Sequence, residues 1–445
     1  MLRFIDLFSG TGGIRLGFEQ ALKQLGISHS CVTSAEIDKA ACATYELNFG
    51  KNPYCDIKQL DDIPPFDVLL AGFPCQSFSY AGRQLGFADT RGTLFFEVER
   101  LLARYKPKLC FLENVRGLTT HDGGRTFQTI IDHIKALGYN VEYRLLNSSN
   151  YGVPQNRVRV YIICALGFHP RLTMESDTGA SDSHRFKTQA PDFFTQYEHK
   201  VVKEILEDNP PSRYDCSTEF INALKKISKG DLSKLHGIRL IDTRNGNSIH
   251  SWNIGLKGEC SPNEINFMDQ LIANRRRHDF GIHQDGKALT MEQIKSFYKS
   301  KDVDLIIEGL LSKGYLRVNQ GKYNPVCGNM SFEVFKFLDP ESISITLTAS
   351  DTNRLGIFHR NRVRRLTPRE CARLQGYPDS YILHPSDSAA YKQLGNAVSV
   401  PVIERFFLNL LGDEKAKHAI QNCNGNDKKI PQPQHSEVAF SNLRA

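Results

Sequence analysis

Phe4-Ile5-Asp6-Leu7-Phe8-Ser9-Gly10-Thr11-Gly12-Gly13 is the stretch from which the fold can be read. Its first five residues form a buried β-type run. The glycine-rich turn after it opens onto a helix-periodic stretch, with apolar residues at Ile14, Phe18, Ala21, Leu22 and Leu25. Glycines between a buried strand and a helix let backbone N–H groups approach a ligand closely, and the start of the helix favours negative charge. The spacing Gly10-x-Gly12-Gly13 is not the G-x-G-x-x-G of dinucleotide sites, which disfavours a nicotinamide dehydrogenase. The turn indicates either an adenosyl cofactor or a tight turn that serves structure alone.

The same rhythm continues outward. Cys31–Ala35 reads as a second strand ending at Glu36, where a carboxylate can accept hydrogen bonds from ribose hydroxyls, and a helix follows over about Lys39–Phe49. A short third run, Pro53-Tyr54-Cys55, ends at Asp56, and further strands are expected at Val68–Ala71, Leu109–Leu112 and Val158–Cys164. Strand, loop and helix in repetition predict a parallel, doubly wound, Rossmann-like α/β sheet with ligands at the carboxyl ends of its strands. After about Phe168 the rhythm is lost. The segment 169–350 carries mixed charge, with helical pieces at Asn263–Arg276 and Met291–Tyr298. Order returns near Arg365–Tyr377, and Val398–Leu411 reads as a final helix rejoining the first domain. The expected division is a catalytic domain of residues 1–168 plus 388–411, a smaller mixed domain over 169–387, and a disordered polar tail over 412–445.

Composition bounds the function. The 445 residues have room for two or three domains, and 40% hydrophobic with 24% charged residues is ordinary globular usage. The longest apolar stretches, near Val68–Phe73 and Val158–Phe168, fall short of a bilayer span, and no signal-peptide pattern opens the chain. These features predict a soluble, cytoplasmic protein. The 11 cysteines are scattered, with no C-x-x-C pair, which disfavours both a disulfide scaffold and a zinc ribbon, so no metal is expected. The net charge of +7 is mild, but Arg354, Arg360, Arg362, Arg364 and Arg365 cluster with no acid between them, and Arg275-Arg276-Arg277 forms a second knot. Each cluster fits a polyanion contact or a solvated surface.

Chemistry concentrates at the strand ends. In Ala71-Gly72-Phe73-Pro74-Cys75-Gln76-Ser77-Phe78-Ser79, Cys75 stands just past a buried strand, Pro74 rigidifies its approach, and Ser77–Gly92 has the composition of a mobile lid. A resting thiol has a pKa near 8.5, so a nucleophilic one needs surroundings that favour thiolate. A buried structural cysteine is the alternative. One strand over, Glu113 in Phe111-Leu112-Glu113-Asn114-Val115 offers an acid partner, and Arg157 and Arg159 share one face at strand alternation.

Taken in order, Phe4–Gly13, Gly72–Ser79, Glu113-Asn114-Val115, Gln155-x-Arg157-x-Arg159, Arg365–Pro378 and Gln393–Val400 resemble the motif series of the DNA cytosine-5 methyltransferases. The resemblance covers residues 1–165 and 340–411. It implies methyl transfer from S-adenosylmethionine to C5 of a flipped-out cytosine in double-stranded DNA. By the same resemblance Phe8, Gly10, Gly12, Gly13, Glu36, Ile37, Asp56, Pro74, Asn396 and Val398 bind the cofactor. Cys75 is the nucleophile, Glu113 the acid at N3, Arg159 a contact to the target base, and Arg157 a residue near the DNA backbone. Ser79, Arg83 and Thr346 are implied DNA contacts, with Thr346-Leu347 ending a specificity region over 169–350. Stretches such as His236–Trp252 and Asn324–Phe335 resemble the BanI-type branch, which recognises GGYRCC. The expected setting is a monomer protecting DNA from a cognate restriction endonuclease. The same chemistry on RNA, and a fold retained for binding alone, are the competing readings.

Overall fold

The computed structural model describes residues 1–74, 94–177, 199–244, 246–281, 287–326 and 332–421. Cys75, Ser79, Arg83 and the Ser77–Gly92 segment lie outside the described residues, as does 422–445.

Six strands build the first sheet: β1 (Leu2–Leu7), β2 (His29–Ala35), β3 (Val68–Ala71), β4 (Leu109–Val115), β5 (Tyr139–Asn147) and β6 (Val158–Leu166), in the order β2-β1-β3-β4-β6-β5. β1 pairs in parallel with both β2 and β3, and β3 with β4. The order reverses between β1 and β3, which makes their carboxyl ends the topological switch point where doubly wound sheets hold ligands. An isolated parallel bridge between Glu36 and Tyr54 extends the sheet beyond β2, where the short Pro53-Tyr54-Cys55 run was expected.

Two expectations need correction. β6 is antiparallel to both β4 and β5, so the sheet is not wholly parallel. The short connection from Asn147 to Val158 holds one 3-10 turn and no crossover helix, and so returns the chain beside β5 in the opposite sense. The presumed tail, moreover, starts with a helix, Glu414–Gln421, whose Ala416 is fully buried in the first core.

Helices α1 (Gly13–Gln24), α2 (Lys39–Phe49), α3 (Leu94–Tyr105) and α4 (Arg125–Ala136) connect these strands. One core joins Phe4, Val68 and Phe111 to Phe18 and Leu22 of α1 and to Phe406 and Phe407 near the C-terminus. The other face packs Ile5, Leu69 and Leu112 against Val98 and Leu101 of α3 and Ile130 and Ile134 of α4. Strand alternation sends Phe4 and Ile5 to opposite faces, giving three layers.

The described residues of the inserted region form two further sheets. One holds β7 (Arg239–Leu240), β8 (Ser248–Ile249), β12 (Lys336–Leu338), β13 (Leu355–His359) and β14 (Arg362–Arg365), and the other holds β9 (Leu289–Thr290), β10 (Leu316–Asn319) and β11 (Lys322–Pro325). Its helices are α5 (Thr218–Ile227), α6 (Ser251–Ile254), α7 (Pro262–Asn274), α8 (Met291–Phe297) and α9 (Val303–Ser312). Ser261 and Thr290 cap α7 and α8 through capping boxes, which explains why both helices start where sequence periodicity places them. The chain returns through α10 (Pro368–Leu374), α11 (Asp387–Asn396), α12 (Val400–Leu411) and α13 (Glu414–Gln421). Val202, Ile205 and Ile357 share a core with Tyr377, Leu394 and Val400, so packing is continuous across position 387. Asp387–Leu411 has the length and hydropathy of a membrane span, yet it is two helices, and its most apolar window is 72% buried within the protein.

Candidate active site

The turn after β1 is held by local geometry. Phe8, Gly10 and Gly12 all have positive φ, at 51°, 52° and 78°. Only glycine takes this region without strain, so Phe8 is the costly member of the three. A Cβ on Gly12 would overlap the Phe49 ring, and one on Gly13 would overlap the Tyr377 hydroxyl. The turn is thus backbone pressed against aromatic walls. Helix α1 begins with no side-chain cap and no acid in its first turn, which leaves its N–H groups available to a ligand.

Glu36 ties this turn to the end of β2. Its Oε2 accepts from Gly10 N–H at 2.8 Å, and its Oε1 accepts from the N–H groups of Ile37 and Asp38, each at 2.8 Å. A carboxylate has about four acceptor positions, so capacity remains for a hydroxyl. Ile37 is 66% exposed although apolar, and Asp56 caps a short turn through Lys58 N–H.

A cavity of about 870 Å³ opens at the switch point. Phe8, Gly10 and Gly13 line it from the turn between β1 and α1, Glu36, Ile37 and Asp56 from the β2 side, and Pro74 from beyond the end of β3. Glu113, Arg157 and Arg159 enter from β4 and the start of β6, and Asn396 and Val398 from the approach to α12. Of the described residues expected at the site, only Gly12 and Thr346 do not line this cavity. Gly12 lies instead against the Phe49 ring. Thr346 lies at a separate cavity, with its hydroxyl donating to Asn156 O at 2.6 Å.

The walls fit an adenosyl group: a glycine cradle, an exposed aliphatic face at Ile37, and a carboxylate with unused acceptors. Beyond them the cavity turns acidic and basic at once. Register puts Arg159 opposite Val115, so its guanidinium reaches diagonally to Glu113, with Nε 3.3 Å from Oε1. Glu113 is 8% exposed, and burial pushes its pKa up, against the lowering effects of Arg159 and Arg157. Asn114 adjoins it and donates to Phe73 O at 3.2 Å, tying the approach to Cys75 to the end of β4.

Arg157 differs from expectation. It is 2% exposed, and its guanidinium donates to Leu347 O at 2.9 Å and Ala397 O at 2.6 Å, so it grips chain segments rather than a DNA backbone. Burial pulls its pKa down to about 9. Gln155, fully buried, completes the clamp by accepting from Leu347 N–H at 3.1 Å and donating to Leu374 O at 2.8 Å. Sequence reading singled out Gln155 only as part of a motif, and it did not identify Tyr377, whose hydroxyl sits 3.2 Å from Thr11 Oγ1 and walls the cavity. The hydroxyl of Tyr381 also donates to Thr11 O. Their spacing in Gly376-Tyr377-Pro378-Asp379-Ser380-Tyr381 carries no periodic signal. Among the described residues no group of three or more His, Cys, Asp or Glu side chains could hold a metal ion.

A doubly wound sheet with a cavity at its switch point and a buried carboxyl–guanidinium pair in that cavity defines an enzyme-type site at the strand ends. The profile of the C-5 cytosine-specific DNA methylases matches residues 2–411, and the chain belongs to that family. It is accordingly an enzyme, a DNA (cytosine-5)-methyltransferase. It is similar to the type II methyltransferase M.BanI of Aneurinibacillus aneurinilyticus, 59% identical over 92% of this chain and 95% of the relative. The type II methyltransferase M.HgiCI of Herpetosiphon aurantiacus is likewise 59% identical, over 92% of this chain and 98% of its own. Among solved structures, a DNA modification methyltransferase encoded within an E. coli prophage superimposes with a TM-score of 0.51 at 21% identity, covering 93% of this chain and 99% of that one, a likeness of fold.

Proposed function

We propose that the chain is the modification enzyme of a restriction–modification pair, acting through a covalent Cys75–C6 adduct with S-adenosylmethionine as donor. The observation that carries this reading is the Glu113–Arg159 pair set into the same cavity as the glycine turn and Glu36. When bound, S-adenosylmethionine supplies an electrophilic methyl group. Gly10, Gly12 and Gly13 would admit it closely, Glu36 would hold its ribose, and Ile37, Asp56, Pro74, Asn396 and Val398 would enclose the remainder.

Cytosine C5 is too weak a nucleophile to attack a methyl sulfonium unaided. The Cys75 thiolate adds to C6, forming an S–C bond and moving electron density onto C5. Glu113 donates its proton toward N3, and Arg159 donates to O2, so both neutralise the charge that addition develops. Once C5 carries the methyl group, the C5 proton leaves to a base, N3 returns its proton to Glu113, and the S–C6 bond breaks to restore the thiolate. Burial of Glu113 favours the protonated carboxyl this role requires. A stacked base cannot reach such a cavity, so the cytosine must be flipped out.

Residues 169–387 form the target-recognition domain in this reading, with specificity residues over 169–350. The 59% identity to M.BanI supports placement in the BanI-type branch, and GGYRCC is the site that the sequence resemblance to that branch implies. The protein works as a cytoplasmic monomer on duplex DNA, and the restriction endonuclease is a functional rather than a physical partner. Bisulfite sequencing of DNA from cells expressing the chain tests both parts. Conversion-resistant cytosines confined to GGYRCC are expected, and none at any sequence would overturn the assignment.

A further inference from the structure

Strands β7 and β12 place Arg239 directly opposite Lys336 in an antiparallel pair. Like charges so placed repel and weaken the sheet. Neither side chain has an ion-pair partner among the described residues, and burial together with Arg239 holds the Lys336 ammonium below its ordinary pKa. A cavity of about 240 Å³ opens beside the pair, and Arg239, Arg244 and Arg354 line it. Arg354 donates to Phe332 O at 3.1 Å, and burial lowers its pKa as well. Arg244 is exposed and makes no hydrogen bond or ion pair among the described residues. Asp351 is the only acid in the described wall, and its carboxylate already accepts from Thr348 Oγ1 at 3.1 Å. The cavity therefore carries three guanidinium groups against one carboxylate, with a fourth cation alongside.

A locally unfavourable arrangement of this kind persists where a ligand resolves it. The far wall is Ile345–Thr348, and its Leu347 is held at N–H by Gln155 and at carbonyl oxygen by Arg157. An anion seated here is thereby fixed in distance from the active cavity, which Arg157 also lines. A neutral base edge would leave the repulsion standing, whereas a phosphodiester would cancel it and supply acceptors for free guanidinium donors.

We infer that this cavity seats one backbone phosphate of the DNA substrate, held by Arg239 and Arg244, and so sets the register of the strand relative to the active cavity. The inference rests on DNA being the substrate and adds where the strand is gripped. Full-length Arg239→Ala, Arg244→Ala and Lys336→Gln variants test it by salt-dependent binding to a duplex bearing the methylated site, by the sequence methylated, and by thermal unfolding without DNA. Each arginine variant should bind several-fold more weakly and lower the slope of log K against log salt by about 1, with the methylated sequence unchanged. Arg239→Ala and Lys336→Gln should also raise the melting temperature of the free protein, because repulsion is relieved. A merely structural role for either residue would lower it and overturn the inference. Unchanged binding and slope, while the wild type methylates the same duplex, would also overturn it, as would relaxed sequence choice, which belongs to a base reader. A wild type that fails to methylate any duplex would instead overturn the function itself, and the phosphate seat with it.

Discussion

Glu113 Oε1 stands 3.3 Å from Arg159 Nε, and both side chains are largely withdrawn from solvent where β4 and β6 meet the cavity. Burial outweighs the guanidinium, so the carboxyl keeps its proton to higher pH than an ordinary glutamate. Activity that needs this proton is lost as pH rises through the raised pKa. Glu113→Gln should reduce kcat by about 10²–10³-fold, the usual effect of removing one preorganised donor. Arg159→Gln removes the largest opposing charge and should move the alkaline limb of the kcat/KM profile to higher pH. An unmoved limb would show that another group sets it.

Cys75 should be irreplaceable in the chemistry. Cys75→Ser is expected to abolish methyl transfer and leave DNA binding intact. The wild type should form an adduct, stable to denaturation, with duplex DNA carrying 5-fluorocytosine, because fluorine cannot depart as a proton. Mass spectrometry of the complex reads the outcome directly, and near-normal turnover by the serine variant would refute C6 attack.

Asp6 is a buried acid with a predictable sign. Burial raises its pKa to about 7, against the lowering effects of Arg15 and of a hydrogen bond from the Tyr45 hydroxyl at 3.3 Å. A folded-state value above the unfolded value, about 4, favours the protonated form, so its stabilising contribution is complete below pH 4 and lost as pH rises to 7. Asp6→Asn stays neutral throughout. Urea unfolding should find the variant more stable than the wild type at pH 8, on the order of 2 kcal/mol, with the gap closing toward pH 4. A gap that does not change with pH would show Asp6 to be ionised in the fold.

Gly395 lies in α11 against the backbone of Thr348 and Ala349, where an added Cβ would overlap main-chain atoms. Backbone cannot turn aside as a side-chain tip can. Gly395→Ala should cost on the order of 1–3 kcal/mol of stability and weaken cofactor binding, since Ala349, Gly395 and Asn396 all line the cavity. Calorimetry with and without the cofactor separates the two effects, and an unaltered midpoint would contradict the packing described.

How much of this was legible depended on the range of each interaction. β1, the glycine turn and α1 were readable because strand, turn and amphipathic helix are local patterns. β5 was not, since Glu142, Tyr143 and Arg144 put polar groups on both sides of an edge strand that is only partly covered, and so blur the apolar alternation. The direction of β6 followed from a connection whose length was visible but whose path was not. Most of the cofactor-side residues could be named from strand ends, and they meet in one cavity. The Gln155–Arg157 clamp could not be foreseen, because its partners Leu347, Leu374 and Ala397 lie about 190 to 240 positions away. An arginine there reads equally as a contact for a polyanion or a brace, and only its burial separates them.

The face of the first sheet that bears Phe4 and Phe111 is covered in part by Phe406 and Phe407 of α12. During synthesis the ribosome delivers those two rings only after the whole inserted region. Until they emerge, the earliest-made strands present naked hydrocarbon to the cell. Maturation of this enzyme is therefore timed by the emergence of α12, and a nascent chain halted before it carries every methylation motif of its amino-terminal half without a closed scaffold to aim them.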